Sequence, residues 1–169
     1  MARAKNLGPQ LADFDAARAI VGRVAQATPM ESSRSLTAIL GSEVLLKCEN
    51  LQRTGSYKLR GAYNLIAQLT PAERKKGVVA ASAGNHAQGV ALAAHELGIK
   101  ATIFMPVGAS LPKFQATQNY GAEVVLSGAV FQETLKAAQA YSEKKGAIFI
   151  PPFDHLDVVT GQGTVGVEI

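Results

Sequence analysis

The sequence predicts an α/β fold, an open parallel sheet with helices on both faces in three αβα layers. Two patterns carry this. From Glu43 onward, short apolar runs alternate with longer segments of helical period, which is how βαβ units around a parallel sheet are written. The segments between the runs also begin and end on residues that start and stop helices.

Taken in order, the first helix is expected over residues 13–25, where Phe14, Ala17, Val21 and Val24 share one face and so require a partner surface. Strand-like runs follow at residues 44–48, 78–81, 102–105, 124–126 and 148–150. A helix is expected from Lys58 to about Leu69. Thr70, Pro71, Ala72 and Glu73 then form a capping box with proline at the first helical position. The helix over residues 86–97 is rich in alanine, whose small side chains allow close approach to a sheet and fix the position of the first turn. Gly98 after it reads as a left-handed stop. Phe131, Leu135 and Ala138 share a helical face, with Glu133, Lys136 and Gln139 elsewhere, so this helix covers the sheet from one side. Gly161, Gln162, Gly163 and Thr164 read as a glycine-bearing turn before a last helix, on its own a weak signal. No internal repeat or low-complexity linker is present.

Composition narrows the function. A chain of 169 residues that is 47% hydrophobic can bury a core. The net charge of +4 comes from scattered Lys and Arg rather than a basic stripe with interleaved aromatics, which argues against nucleic acid as a partner. No run approaches the roughly 18 apolar residues that a membrane-spanning helix needs. Arg3 and Lys5 are followed by polar Asn6 and by Gly8 to Gln10 where a secretory signal would place its apolar segment, so export is not expected. The single Cys48 excludes an internal disulfide and suits a cytoplasmic location. His86, His95 and His155 lack companions at ligand spacing, so no metal site is expected. No serine sits in a nucleophile elbow.

Two constellations remain. Lys58 follows Gly55, Ser56 and Tyr57 and opens a helix, so its amine lies near the positive end of a helix dipole, which disfavours the protonated form. A neutral amine is what carbonyl attack requires. Tyr57 can lie beside a planar cofactor or simply belong to the core, and alone it reads better as core. After the strand ending at Ala81, Ser82, Ala83, Gly84 and Asn85 form a small-residue turn into a helix, whose backbone N–H groups suit an anion such as a substrate carboxylate. The plainer reading is a strand-to-helix connection capped by Ser82 or Asn85. His86, in the first helical turn, is more often a structural hydrogen-bonding residue than a catalyst.

The segments NLQRTGSYKLRGAYN, SAGNHAQGVALAA and IPPFDHLDVVTGQGTVGVEI, in this order and spacing, closely resemble the threonine dehydratases (threonine ammonia-lyases), from about Thr28 to Ile169. These belong to the tryptophan-synthase-β-like, fold type II class of pyridoxal 5'-phosphate enzymes. Residues 50–56 look more like the catabolic dehydratases than the biosynthetic ones. The resemblance implies that Lys58 forms an aldimine with pyridoxal phosphate, that Tyr57 lies near the cofactor and that Asn85 hydrogen-bonds its ring oxygen. The turn Ser82, Ala83, Gly84, Asn85 and His86 is implied to receive the substrate carboxylate.

The reaction implied is β-elimination on L-threonine and L-serine, giving a 2-oxo acid and ammonia. Serine racemases, which are similar in the lysine motif, carry a second serine where this chain has Ala83, so dehydration without efficient racemisation is expected. Cysteine synthases resemble the chain less in both the lysine and the GQGT segments.

The family fold implies residues 1–52 as the start of a larger cofactor domain, residues 53–152 as a complete smaller α/β domain, and residues 153–169 as a return into the larger one. Family members are longer than this chain. The glycine-rich phosphate loop is expected in the part this sequence does not contain, leaving a non-catalytic folding or self-associating module as the alternative. The family is usually oligomeric, so a homo-oligomer is expected.

Overall fold

The computed structural model describes residues 8–169; the leader expectation, which rests on Arg3, Lys5 and Asn6, lies largely outside them. Four strands, β3 (Val78–Ala81), β4 (Ala101–Met105), β5 (Glu123–Leu126) and β6 (Ile148–Phe149), pair in parallel in the order β5, β4, β3, β6. The helices between them are α5 (Asn85–Glu96), α6 (Leu111–Asn119) and α7 (Phe131–Lys145).

Alternate strand residues serve opposite faces, as the pleat demands. Val78, Ala80, Ala101, Ile103 and Met105 pack into the main core with α5 and with α3 (Lys58–Ala67), whereas Val79, Ala81 and Phe104 pack against Ala138 of α7. The Phe104 and Tyr141 rings lie 5.4 Å apart there. The three-layer α/β architecture is therefore the one predicted. Local signals held too. Thr70 and Glu73 form the capping box of α4 (Pro71–Lys76), and Gly98 takes φ +66° after α5.

Two readings need correction. The apolar run at 44–48 does not join the parallel sheet: β2 (Leu45–Lys47) pairs antiparallel with β1 (Met30–Ser32), around α2 (Arg34–Leu40). A parallel strand needs cover on both faces, as β3 and β4 have along their whole length, while Leu45 and Leu46 stay 51% and 44% exposed. The GQGT segment is not a turn but the interior of α8 (Leu156–Val167). Its glycines are there for closeness. A Cβ on Gly161 would lie 2.7 Å from the Arg60 carbonyl oxygen and one on Gly61 2.9 Å from that of Val158, so α3 and α8 touch backbone to backbone. The partner surface expected for α1 (Leu11–Val21) is α8, with Phe14 against Gly163; the helix ends earlier than expected, at a turn that keeps Val24 buried.

Arg60 locks this assembly together. It is 1% exposed and donates to both carboxylate oxygens of Glu49 at 2.9 and 2.8 Å and to both of Glu168 at 2.6 and 3.0 Å. Thr28 donates to Glu49 at 2.7 Å, and Lys47 pairs with Glu168 at 2.7 Å. Burial pushes both carboxyls up, but the hydrogen bonds from Arg60, with those from Thr28 and Lys47, outweigh it and hold both below the usual carboxylate value of 4.5.

Replacing Arg60 with methionine leaves Glu49 without a cation and Glu168 with Lys47 alone, and is expected to cost about 3 kcal/mol or more in urea unfolding. The carboxylates' folded pKa values are depressed, so their stabilisation is complete above the unfolded value and lost as pH falls through the folded ones. The Arg60→Met protein should show a smaller acid limb, the part that the remaining Lys47–Glu168 pair supplies. Unfolding curves that coincide with those of the parent would remove the network's structural role.

Candidate active site

The strand order creates the crevice. From β3 the chain moves toward β4 and β5, then returns through α7 to set β6 on the other side of β3. The C-terminal ends of β3 and β6 are therefore a topological switch point, where open α/β sheets leave room for ligands. An apolar cavity of about 260 Å3, lined in part by Ala81, Phe149 and Pro152, opens beside these strand ends.

Lys58 comes from α3 to the Pro152 carbonyl at the edge of this cavity and is not among the residues that line it. The turn before it is fixed by Gln52, which is buried and exchanges two hydrogen bonds with the Gln26 backbone at 2.9 and 2.8 Å. Gly89 of α5 sets the approach from the other side, since a Cβ there would lie 3.0 Å from the Lys58 carbonyl carbon and from the Leu59 nitrogen. Lys58 is the first residue of α3 and is half-buried. Its Nζ donates to the Pro152 carbonyl at 2.9 Å and sits 5.3 Å from the centroid of the Tyr57 ring, within cation–π range. Tyr57 is 41% exposed, so it is a rim residue and not a core one.

On the β3 side, the turn is held by Ser82, whose backbone N–H bonds the Phe104 carbonyl at 3.0 Å and whose hydroxyl accepts from the Gly84 N–H at 3.2 Å. Neither Ser82 nor Asn85 caps the helix. Gly84 is the N-cap of α5, at φ −141° and ψ −147° and without a side-chain cap, so the first-turn N–H groups have no side-chain acceptor, the arrangement that helix N-termini offer to anions. Ala83 is half-buried in this turn and Asn85, the first helical residue, is exposed.

His86 links the two strand ends. Its side chain is buried, and Nε2 lies 2.9 Å from the Ile150 carbonyl. Burial, with a smaller contribution from the charge of Lys58, pushes its pKa down to about 4 against the opposing hydrogen bond. The imidazole is therefore neutral near pH 7, with the proton on Nε2 and with Nδ1 as a buried acceptor that has no partner. Lys58 and His86 thus meet on the short segment from Ile150 to Pro152. Pro152 also accepts from Gln162 Nε2 at 3.3 Å, a contact that nothing in the local sequence announces. Among the described residues there is no cluster of His, Cys, Asp or Glu fit to hold a metal, and no helix long and apolar enough to cross a membrane.

The architecture and this lysine-bearing crevice are those of a pyridoxal-phosphate enzyme. Residues 22–169 match the family described as pyridoxal-phosphate dependent enzyme, and the chain belongs to that family. It is similar to the L-threonine ammonia-lyase of Thermotoga maritima, at 53% identity over 159 residues that cover 94% of this chain and 40% of that protein. Similarity to the catabolic L-threonine dehydratase of Escherichia coli K12 is 48% over 156 residues, covering 92% of this chain and 47% of that one. The solved structure of maize serine racemase superposes with a TM-score of 0.91 at 35% identity, covering 95% of this chain and 49% of that one. The chain spans somewhat under half the length of these two curated relatives.

The buried neutral His86 makes stability depend on pH. Its folded pKa of about 4 lies below the ordinary 6.5, so the stabilisation is complete above pH 6.5 and is lost progressively as pH falls toward 4, by on the order of 3 kcal/mol. Urea unfolding of the parent and of His86→Gln across this window should show a slope that the variant lacks. Equal slopes would mean that the imidazole titrates as it does in water.

Proposed function

We propose that this chain carries the amine and the carboxylate-binding turn of a pyridoxal-phosphate ammonia-lyase that deaminates L-threonine, and L-serine, to a 2-oxo acid and ammonia. The observation that carries the reading is the Lys58 amine held on the Pro152 carbonyl at the switch-point crevice, beside an α5 N-terminus that no side chain caps.

The residues present fit the aldehyde and ring of the cofactor: a half-buried amine, an aromatic rim at Tyr57, an exposed Asn85 at the helix start, and an unpartnered buried Nδ1 on His86. When bound, pyridoxal phosphate supplies an aldehyde for an amine to condense with and a ring that spreads the negative charge left at an amino acid's α-carbon. Lys58 provides the condensing amine and, once displaced by the amino acid, takes up the α-proton at Nζ. The N–H groups at the start of α5, with Ser82, Ala83 and Gly84, receive the substrate carboxylate. Asn85 would address the ring oxygen of the bound cofactor, and Tyr57 would lie beside its ring. The β-hydroxyl then leaves, and the released enamine takes up water to give the 2-oxo acid and ammonia.

Ala83 bears only a methyl group and can neither give nor take a proton, which supports elimination over racemisation. The division into a smaller domain at 53–152 with flanking parts of a larger one, and a cytoplasmic setting, belong to the same reading. Self-association is supported by the apolar surface of the β1–α2–β2 unit, where Ile39 and Leu40 are 77% and 65% exposed. A non-catalytic, self-associating module is the second reading, favoured by the same exposed apolar surface.

Titration with pyridoxal phosphate separates the two. The parent chain should develop a visible absorbance band that Lys58→Ala abolishes; a parent without any lysine-dependent band is not a competent holoenzyme. Where turnover is measurable, Ala83→Ser should raise inversion of L-serine relative to dehydration, followed by chiral chromatography and deuterium uptake at the α-carbon. Rapid inversion in the parent would contradict the role given to Ala83.

A further inference from the structure

The amine of Lys58 does not choose its place alone. The Pro152 carbonyl oxygen has two lone pairs, and both are engaged, one by Lys58 Nζ at 2.9 Å and the other by Gln162 Nε2 at 3.3 Å. Pro151 and Pro152 fix φ at two successive positions, so the direction of this carbonyl depends chiefly on the torsion after Pro152. The Gln162 amide constrains that torsion.

The Gln162 side chain is itself delivered from a rigid base. It lies on α8, whose backbone is pressed against α3 at Gly161, and it occupies the lane left open by the absence of a side chain at Gly61, where a Cβ would come within 2.7 Å of Gln162 Cγ. Gly61 is about one helical turn past Lys58. The rest of the segment supports the same placement: Gly163 leaves room for Phe14, and the buried Thr164 accepts from Arg60 at 3.2 Å while donating to the Gly161 carbonyl at 2.7 Å.

We propose that Gln162 is a positioning residue for the Lys58 amine. By holding the Pro152 carbonyl in one orientation, it keeps Nζ parked between the ends of β3 and β6 whenever the amine is free, so that the amine is in place for the next condensation or proton transfer. The inference rests on the reading of Lys58 as the reactive amine, but its test needs no cofactor.

The test is trace acetylation of the full chain by N-hydroxysuccinimidyl acetate, with rates at single lysines read by peptide mass spectrometry. The exposed Lys113 serves as reference, and Lys47, with a side chain only 9% exposed, reports on unfolding. Gln162→Leu removes the donor and should raise the relative rate at Lys58 about threefold or more, the scale of one hydrogen bond. Gln162→Glu keeps the size, cannot donate to the carbonyl when ionised and attracts the ammonium, so it should lower the rate at Lys58 below that of the parent. A purely structural role would not move one amine in opposite directions while Lys47 stays protected.

Equal Lys58 rates in the three proteins overturn the proposal. If Gln162→Leu unfolds, as a rise at Lys47 would reveal, the Glu variant decides alone, and an unchanged rate there overturns it. The pattern of opposite shifts in a chain that forms no lysine-dependent absorbance band would sink the functional reading and leave the positioning intact. The band without the shifts would do the reverse.

Discussion

A guanidinium with 1% of its surface exposed must be neutralised by something close. Arg60 meets that demand with carboxylates 11 and 108 residues away in the chain, one from the segment before α3 and one from the end of α8. Such a cluster is not in itself strong evidence of stabilisation, because desolvating its members offsets much of their attraction. What it supplies is an arrangement with few alternatives. Any displacement of α3 relative to Glu49 or Glu168 leaves a charge unpaired, so the helix is fixed along its axis and about it. Lys58 stands two residues before Arg60 and inherits that constraint, which is why a flexible side chain can be brought to a defined carbonyl.

Helix contact supplies the remaining precision. Gly61 and Gly161 let α3 and α8 meet through backbone, and Gly89 does the same between α5 and the start of α3. At these three glycines the backbones meet without an intervening side chain, which fixes the elements that carry Lys58, the turn from Ser82 to His86 and Gln162. The sheet contributes the crevice, since the reversal of direction between β3 and β6 opens space at their C-terminal ends. Ion cluster, close helix contacts and strand order therefore act on the same few residues.

Much of this was legible where the cause is local. The capping box at Thr70, the stop at Gly98 and the buried runs of β3 and β4 follow from rules that span a few residues, and the structure keeps them. The run at 44–48 misled because apolar content alone does not say whether both faces of a strand will be covered. Met30–Ser32 and the capped helix α2 carried no signal strong enough to announce the ribbon beforehand. Glycines in GQGT read as a turn because a turn is what glycine most often means in isolation; the approach of the α3 backbone to Gly161 and of Phe14 to Gly163 explains them inside α8, and both partners come from distant parts of the chain. At the site, Lys58 and the turn from Ser82 to His86 were visible as motifs. The acceptor for Lys58 was not, because Pro152 acts through a carbonyl that every residue possesses, and the partnership with Gln162 joins positions that only the fold brings together.

The neutral state of His86 bears on how the proposed acid-binding turn from Ser82 to His86 would work. With Nε2 committed to the Ile150 carbonyl, the neutral ring presents only a lone pair at Nδ1, and a lone pair repels a carboxylate. The imidazole is thus unsuited to gripping an acid group, and in the proposed reading His86 would contribute to the turn through its backbone N–H, together with the other amides at the uncapped start of α5. Fixed amide dipoles carry no net charge, so they can hold an anion without placing a second cation beside the Lys58 amine. A protonated imidazole there would compete with that amine for the same acid group and would repel it when charged. Burying His86 in its neutral form would keep the proposed recognition of the acid group separate from the proton transfer proposed for Lys58. The same burial ties the two tasks together mechanically, because the bond that silences the imidazole also anchors the segment on which the Lys58 amine rests.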